Sequence, residues 1–302
     1  MFVWMQIFKL YKSKKLNDNN YLENSRKNIS FVIYYRLSNN QCKKIMDFES
    51  ICYKNAVLNQ VIIRIDFLEF VPTDELFTDL VLKAIVQSFP RVGMRQIMRY
   101  NDVNVVINEI NATTQSKSRE GFQQEFSDIK NNKIKISNRF LVLEVNKYNS
   151  FEETIQTLTP ILQLIINLSV NAIRTGIRYI NIIDNSKIRL TKNLFSTSVS
   201  HLVNIDLSNE KQGLSCIRSM CMNEYRISDM HLNFRYGMYN PEYPSSMRSP
   251  KFVLDYDCYC DSLLSGFDIL LSHIKEGHNA IQYLFENSIS DNLRKVMNYD
   301  RL

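Results

Sequence analysis

The residues able to carry chemistry are few and scattered. Histidine occurs only at His201, His231, His273 and His278. No His-Glu-x-x-His helix and no Gly-x-Ser-x-Gly elbow is present, so neither a zinc-protease helix nor a serine-hydrolase turn can be built. His273 and His278 are five residues apart, about 140° around a helix, and cannot share one ligand face. His201, among Val199, Val203 and Ile205, reads as a hydrogen-bonded core histidine. The six cysteines are Cys42, Cys52, Cys216, Cys221, Cys258 and Cys260. Their Cys-x4-Cys and Cys-x-Cys spacings are poor zinc pairs, so no metal set is assigned, and reduced, half-buried thiols are expected. The seven glycines are dispersed. A phosphate-cradling loop needs them clustered, so nucleotide-type cofactors are not expected and no cofactor is assigned.

Two sets of residues remain. Arg178 and Asn181, with Tyr179 between them, stand in a strand expected to be buried, and Asp255 and Asp257 share one face of a later strand. A buried guanidinium requires a carboxylate or carbonyl partner, so one of the two aspartates is expected to pair with Arg178. The result is either a polar clasp or a pocket for an anionic ligand. The second set is Asp102, Glu109, Asp128 and Lys130, acids and a lysine that fit the pattern of a metal-dependent nuclease. That pattern is degenerate.

The elements that must hold these residues follow from period and punctuation. Val61, Ile63, Ile65 and Phe67 alternate with Ile62, Arg64, Asp66 and Leu68, a half-buried strand. Pro72-Thr-Asp-Glu75 starts a helix whose apolar stripe runs through Leu76, Phe77, Leu80, Val81, Ala84 and Ile85. Strands are expected near 102–111, 121–128, 133–137 and 140–146, with Thr113–Glu120 as a polar loop and Asn131-Asn132 as a tight turn. Ser150-Phe-Glu-Glu153 is a capping box opening a helical stretch to about Arg174, ended by Gly176. Ile177–Ile183, apolar on both faces, is expected to be a doubly covered central strand. Strands near 198–207, 214–226, 229–238 and 251–259 follow, then helices over about 263–287 and 290–298. Met230, Leu232, Phe234, Tyr236 and Met238 form the clearest period-two run, after a Ser228-Asp229 turn. The order strand, helix, several strands, long helix occurs twice. This predicts an α+β fold of two related halves, each a mostly antiparallel sheet backed by helices on one face, spanning 46–174 and 175–302.

Ahead of them, residues 1–45 hold nine Lys or Arg against two acids. The whole chain holds 37 bases and 31 acids, so 46–302 carry 28 bases and 29 acids, a net charge of −1. A phosphate-binding surface is not expected on such a body. The basic extension reads either as a poorly ordered solvated tail or as an arm for nucleic acid, and translation starting at Met46 is a third reading. The apolar run Met1–Phe8 precedes its lysines, the reverse of a secretory signal. The most apolar window, 158–173, is interrupted by Pro160, Gln163, Asn167, Ser169 and Asn171. No membrane partner is expected, and a cytoplasmic location is.

Thr175-Gly-Ile-Arg-Tyr-Ile-Asn181 resembles the hallmark strand, close to Arg-x-Gly-Leu-Arg-Tyr-Ile-Asn-Arg, of a sporadically distributed, functionally uncharacterised family of bacterial and archaeal proteins. It departs at Thr175 and Ile182, where that family tends to have arginine. Asn59–Phe70, Phe252–Asp257 and His278–Met297 are similar to its opening strand, late strand and closing helices. The resemblance covers about 46–302 and implies kinship without an activity. Its patchy distribution implies a horizontally exchanged stress or phage-defence cassette. Three functions are therefore carried forward: a non-enzymatic binding or adaptor protein acting through protein or small-ligand contacts or self-association, a metal-dependent hydrolase using Asp102, Glu109, Asp128 and Lys130, and a nucleic-acid binder using the basic tail. The loop Asn240–Pro250, with three prolines and flanked by Tyr239, Tyr243 and Phe252, reads either as a connector or, in the first function, as a contact surface.

Overall fold

A computed structural model of the chain describes residues 51–107, 112–203, 218–245 and 251–301. The basic extension 1–45 and Glu109 lie outside the described residues. The fold is α+β. In chain order the elements are β1 (Ile51–Tyr53), β2 (Leu58–Phe67), α1 (Thr73–Leu76), α2 (Asp79–Ser88), β3 (Arg91–Ile107), β4 (Ala112–Ser127), β5 (Lys133–Ser137), β6 (Phe140–Val145), α3 (Phe151–Ile166) and β7 (Asn171–Asp184). A 3-10 turn (Lys192–Leu194), α4 (Thr197–Ser200), β8 (Ser219–Ile227), β9 (Met230–Tyr239), β10 (Lys251–Cys260), β11 (Leu264–Ser265), α5 (Phe267–Ser288), α6 (Asp291–Met297) and β12 (Tyr299–Arg301) complete it.

The large strands form one antiparallel sheet in the order β3-β4-β5-β6-β2-β7-β10-β9-β8, with β11 added to β7, while β1 and β12 pair separately. β2 and β7 join at its middle, with Ile62 opposite Arg178, so strands before and after residue 174 share one sheet and not two. Side-chain alternation gives the sheet two unlike faces. Val61, Ile63, Ile65 and Phe67 of β2 and Ile177 and Ile183 of β7 join one apolar core with Val81 and Ile85 of α2, Leu158, Ile161, Leu162 and Ile165 of α3, Leu270, Ile274 and Ile281 of α5, and Leu293 of α6. The intervening residues, such as Ile62, Arg64, Asp66, Arg178 and Ile180, point to the opposite face. Among the described residues the helices all contribute to the first face and none covers the second. Each fully buried phenylalanine, such as Phe126 or Phe252, contributes about 2–3 kcal/mol through its removal from water.

Local chemistry sets the boundaries. The predicted helix after Pro72 is two helices: Phe77 leaves helical geometry, and the Thr78 hydroxyl accepts from Val81 N to cap α2. Ser150 caps α3 by accepting from Glu153 N, as its capping box predicts. The α3 helix stops at Ile166, short of the expected Arg174, because Ser169 takes a left-handed φ of 60°. Asn171 then pairs with Ser265 of β11, and Gly176 lies within β7. The tight turns at Asn131 (φ 63°) and Ser228 (φ 54°) fall where predicted. The stretch around 198 is helix α4, not a strand, and His201 is exposed there and not in the core; residues 204–217 lie outside the described residues.

The largest departure is the β3–β4 ribbon, registered from Arg91↔Ser127 to Ile107↔Ala112. Thr113–Glu120, expected as a loop, is paired strand. Backbone hydrogen bonds hold it without an apolar stripe, and that is why its side chains gave no strand signal. On β3, Val92, Met94 and Ile97 are all more than half exposed.

The α5 helix lies on the sheet at Gly277, whose absent Cβ would fall 2.8 Å from Ile177 Cγ2 and 3.2 Å from Met230 Cε. Only glycine permits that approach. Cys258 is buried beneath the same helix, and burial pushes its thiol up to about 12, so it is a packing residue and not a nucleophile.

Candidate functional site: the open face of the sheet

Strand alternation separates the residues grouped together from the sequence. On β7, Tyr179 and Asn181 point to the helix-covered face, whereas Arg178 points to the open face with Asp255 and Asp257 of β10. The expectation that β7 is doubly covered is corrected: Ile180 and Ile182 are only partly buried, and the strand alternates cleanly.

Arg178 stands directly opposite Asp257 in the β7–β10 register. Its guanidinium nevertheless donates diagonally to Asp255, Nε to Oδ1 at 2.7 Å and Nη2 to Oδ2 at 2.7 Å. Such a bidentate pair matches the planar fork of arginine to a carboxylate. Those hydrogen bonds raise the guanidinium pKa further. Asp255 is nearly buried, with 9% of its side chain exposed, against 35% for Arg178. From β9, Arg235 lies 3.4 Å from Asp255 Oδ2 and donates Nη2 to Asp257 Oδ2 at 3.3 Å. Burial raises the Asp257 carboxyl above its ordinary value, and Arg178 and Arg235 oppose that rise.

The same face continues across β2, β6, β5 and β4. Arg64 chelates Asp66 through Nε and Nη2 at 2.7–3.0 Å and lies 5.0 Å over the Phe140 ring. Lys135 donates to Glu144 at 2.6 Å. Arg174 lies 4.1 Å over the Tyr259 ring. Gly176, opposite Tyr259, leaves room for this: a Cβ there would meet Tyr259 Cβ at 2.9 Å. Between these groups runs a trough of about 430 Å³, floored by Ile62, Val142 and Gly176 and walled by four bases (Arg64, Lys135, Arg174, Arg178) and two acids (Glu144, Asp257). Among its lining residues there is no serine, cysteine, threonine, tyrosine or histidine.

On the covered face, Tyr179 joins a different cluster. Its hydroxyl lies 2.8 Å from His278 Nδ1 and 3.3 Å from the Tyr148 hydroxyl, and the His278 ring stacks on Phe151 at 3.9 Å. Burial pushes the His278 pKa down to about 4 and the Tyr179 hydroxyl well up. With the proton on Nε2, the neutral ring accepts from Tyr179. Asn181 donates to the Leu254 carbonyl at 3.2 Å and is a buried cross-strand tie.

Of the nuclease-like set, Asp102 and Asp128 stand far apart on the ribbon. Asp102 stands opposite Lys117, and Asp128 follows Ser127 at the far end of β4, so about 33 Å of strand separates them. Both Asp128 oxygens are engaged by Asn132, through its backbone N–H and its amide, each at 2.8 Å. Lys130 lies 3.8 Å from Glu153. Asp128 and Lys130 line a second groove of about 240 Å³ beside α3, away from Asp102. Around the Asn240–Pro250 loop, Tyr239 and Tyr243 are exposed, Arg218 stacks on Tyr243 at 4.0 Å, and Phe252 of β10 is fully buried in the core. Among the described residues no helix is long and apolar enough to cross a membrane.

Sequence reasoning missed most of the trough. Arg64, Lys135, Glu144 and Arg174 come from four strands, and only the strand order brings them together. The one local signal was a charged residue alternating with apolar ones on β2 and β9. No family model matches the chain, and no curated protein matches it.

Proposed function

We propose that the protein is a non-enzymatic binding or adaptor protein that receives an acidic protein segment on the open face of its sheet. The observation that carries this is the trough: apolar along its floor, walled by Arg64, Lys135, Arg174 and Arg178 beside Glu144 and Asp257, and lined without serine, cysteine, threonine, tyrosine or histidine. An extended segment laid across a sheet face buries its apolar side chains on Ile62 and Val142 and sets its carboxylates against Arg64, Arg174 and Lys135. The Arg178–Asp255–Arg235–Asp257 ladder serves this reading as a rigid wall; Arg64, Lys135 and Arg174 also hold Asp66, Glu144 and Asp261, and an incoming carboxylate shares these bases with them. Electrostatic complementarity of that kind sets partner choice and encounter rate more than raw affinity.

Kinship with the family carrying the Gly-x-Arg-Tyr-Ile-Asn strand belongs to the same proposal. Four of the matching residues have their own physical tasks on β7: Gly176 clears Tyr259, Arg178 binds Asp255, Tyr179 binds His278, and Asn181 ties β10. The reading of two related halves is supported by connectivity. After β2 come helices and a meander returning through β6 to β2, then α3; after β7 come a short helix and a meander returning through β10 to β7, then α5.

The test is native co-purification with the full chain and with an Arg64→Glu/Arg174→Glu variant, followed by mass spectrometry. A partner retained by the first and lost by the second supports the reading. A partner retained equally by both, or turnover of a small-molecule substrate that survives both substitutions, refutes it.

A further inference from the structure

At the end of the sheet away from the Asn240 loop, three side chains from three elements converge. Asp229 comes from the β8–β9 turn, Cys260 from the last position of β10, and His273 from the second turn of α5. The His273 Nε2, Cys260 Sγ and an Asp229 oxygen all lie within 4.8 Å of one another. We infer that this cluster is a binding site for a divalent transition-metal cation of the zinc class.

Ring orientation is the first support. His273 Nδ1 lies 2.9 Å from the Ile269 carbonyl, which can only accept, so Nδ1 carries a proton. In the neutral ring Nε2 is then a bare lone pair, and it lies 3.3 Å from Asp229 Oδ2, another acceptor. Two acceptors at that distance need positive charge between them, supplied either by a ring proton, as an imidazolium–carboxylate pair, or by a bound cation. A metal-bound histidine is oriented in this way, its outer N–H given to a backbone carbonyl. The spacing is the second support. A tetrahedral zinc ion with ordinary bond lengths puts its oxygen and nitrogen ligands about 3.4 Å apart and its oxygen and sulfur ligands about 3.6 Å apart. Asp229 Oδ2 lies 3.3 Å from Nε2 and 3.6 Å from Sγ. The third support is chemical. A thiolate, an imidazole and a carboxylate suit zinc, and hard cations such as magnesium prefer all-oxygen sites. Cys260 is fully buried and Asp229 half-exposed, so one side is dry and the fourth coordination position faces solvent. Binding deprotonates the thiol and releases one proton, and thiolate, carboxylate and neutral imidazole then balance the dication.

The site is independent of the trough, so the two proposals succeed or fail separately. The full chain is stripped with a chelator and titrated with zinc alone and with cobalt(II) alone. One zinc per chain is expected, with proton release, and a cobalt spectrum showing a thiolate charge-transfer band and tetrahedral ligand-field bands. Cys260→Ser and His273→Gln should each weaken binding at least about 100-fold. Cys221→Ser, at a thiol outside the cluster, should leave affinity unchanged, and urea midpoints of the metal-free variants establish that each is folded. The inference is overturned by a cobalt spectrum without the thiolate band, by sub-stoichiometric zinc, or by binding that persists in folded Cys260→Ser and His273→Gln, which would place the metal at other cysteines.

Discussion

Replacing Asp255 and Asp257 in turn by asparagine distinguishes a diagonal ion pair from the cross-strand pair that register alone would predict. Asp255 is nearly buried and receives both Arg178 hydrogen bonds at 2.7 Å, with Arg235 3.4 Å away. Removing one partner of a fully buried pair costs about 3–5 kcal/mol. Here both guanidinia are about one-third exposed and can turn to water. The expected cost of Asp255→Asn is therefore reduced to about 2 kcal/mol. Asp257 faces Arg178 in register but its one directed contact is the 3.3 Å bond from Arg235, and burial already raises its pKa. Asp257→Asn should stay within about 0.5 kcal/mol of the parent at pH 7. Because the folded carboxyl titrates above its unfolded value, Asp257 favours folding most when protonated in both states, and this contribution is lost as pH rises through the folded pKa. The asparagine variant should accordingly gain on the parent as pH increases from 4 to 7. Urea unfolding followed by far-UV circular dichroism, with unchanged m-values, reads all of this. A cycle of Arg178→Met with Asp255→Asn should give a coupling of about 1 kcal/mol. Equal losses for the two asparagine variants, or a greater loss for Asp257→Asn, would refute the diagonal pairing.

Three further perturbations probe the scaffold. His278 should titrate near pH 4 by NMR; its folded pKa lies below the unfolded value, so its contribution is full above about pH 6.5 and is lost, by at most about 3 kcal/mol, as pH falls through 4, a slope that His278→Phe should flatten. Gly277→Val drives a branched side chain into Ile177 and Met230 and should cost about 2–3 kcal/mol in urea unfolding, whereas Gly277→Ala should cost less. Glu286, buried in α5, accepts from the Tyr53 hydroxyl at 2.7 Å and from Arg294 Nε at 2.9 Å; Glu286→Ala should cost about 3 kcal/mol and Tyr53→Phe about 1 kcal/mol, read as falls in thermal midpoint.

The legible parts of the fold were those whose signal is local. Period-two runs on β2, β9 and β10, the Ser150 cap and the left-handed turns at Asn131 and Ser228 are written in a few neighbouring residues each. The β4 strand was illegible because its residues from Thr113 to Glu120 are all polar and carry no apolar alternation to mark it. The true end of α3 was hidden because Val170 and Ala172 fit a helical stripe as well as a strand. The joining of β2 to β7, which makes one sheet of the two expected, is a long-range pairing that no local pattern encodes. The Arg178–Asp255 contact could be foreseen from the cost of an unpaired guanidinium, but grouping Tyr179 and Asn181 with it ignored the alternation that sends them to the other face. The Asp229–Cys260–His273 cluster was invisible for a similar reason: Asp229 stands 31 residues from Cys260 and 44 from His273, far outside compact ligand spacings.

Site-specific photo-crosslinking in native cells tests the binding face most directly. A photoreactive residue at position 142, on the floor of the trough, is compared with one at Tyr283, exposed on the outer surface of α5. The open-face account predicts a discrete adduct at 142 that disappears with Arg64→Glu/Arg174→Glu, and none at 283. An adduct at 283 alone, or one at 142 indifferent to the charge reversals, would contradict it.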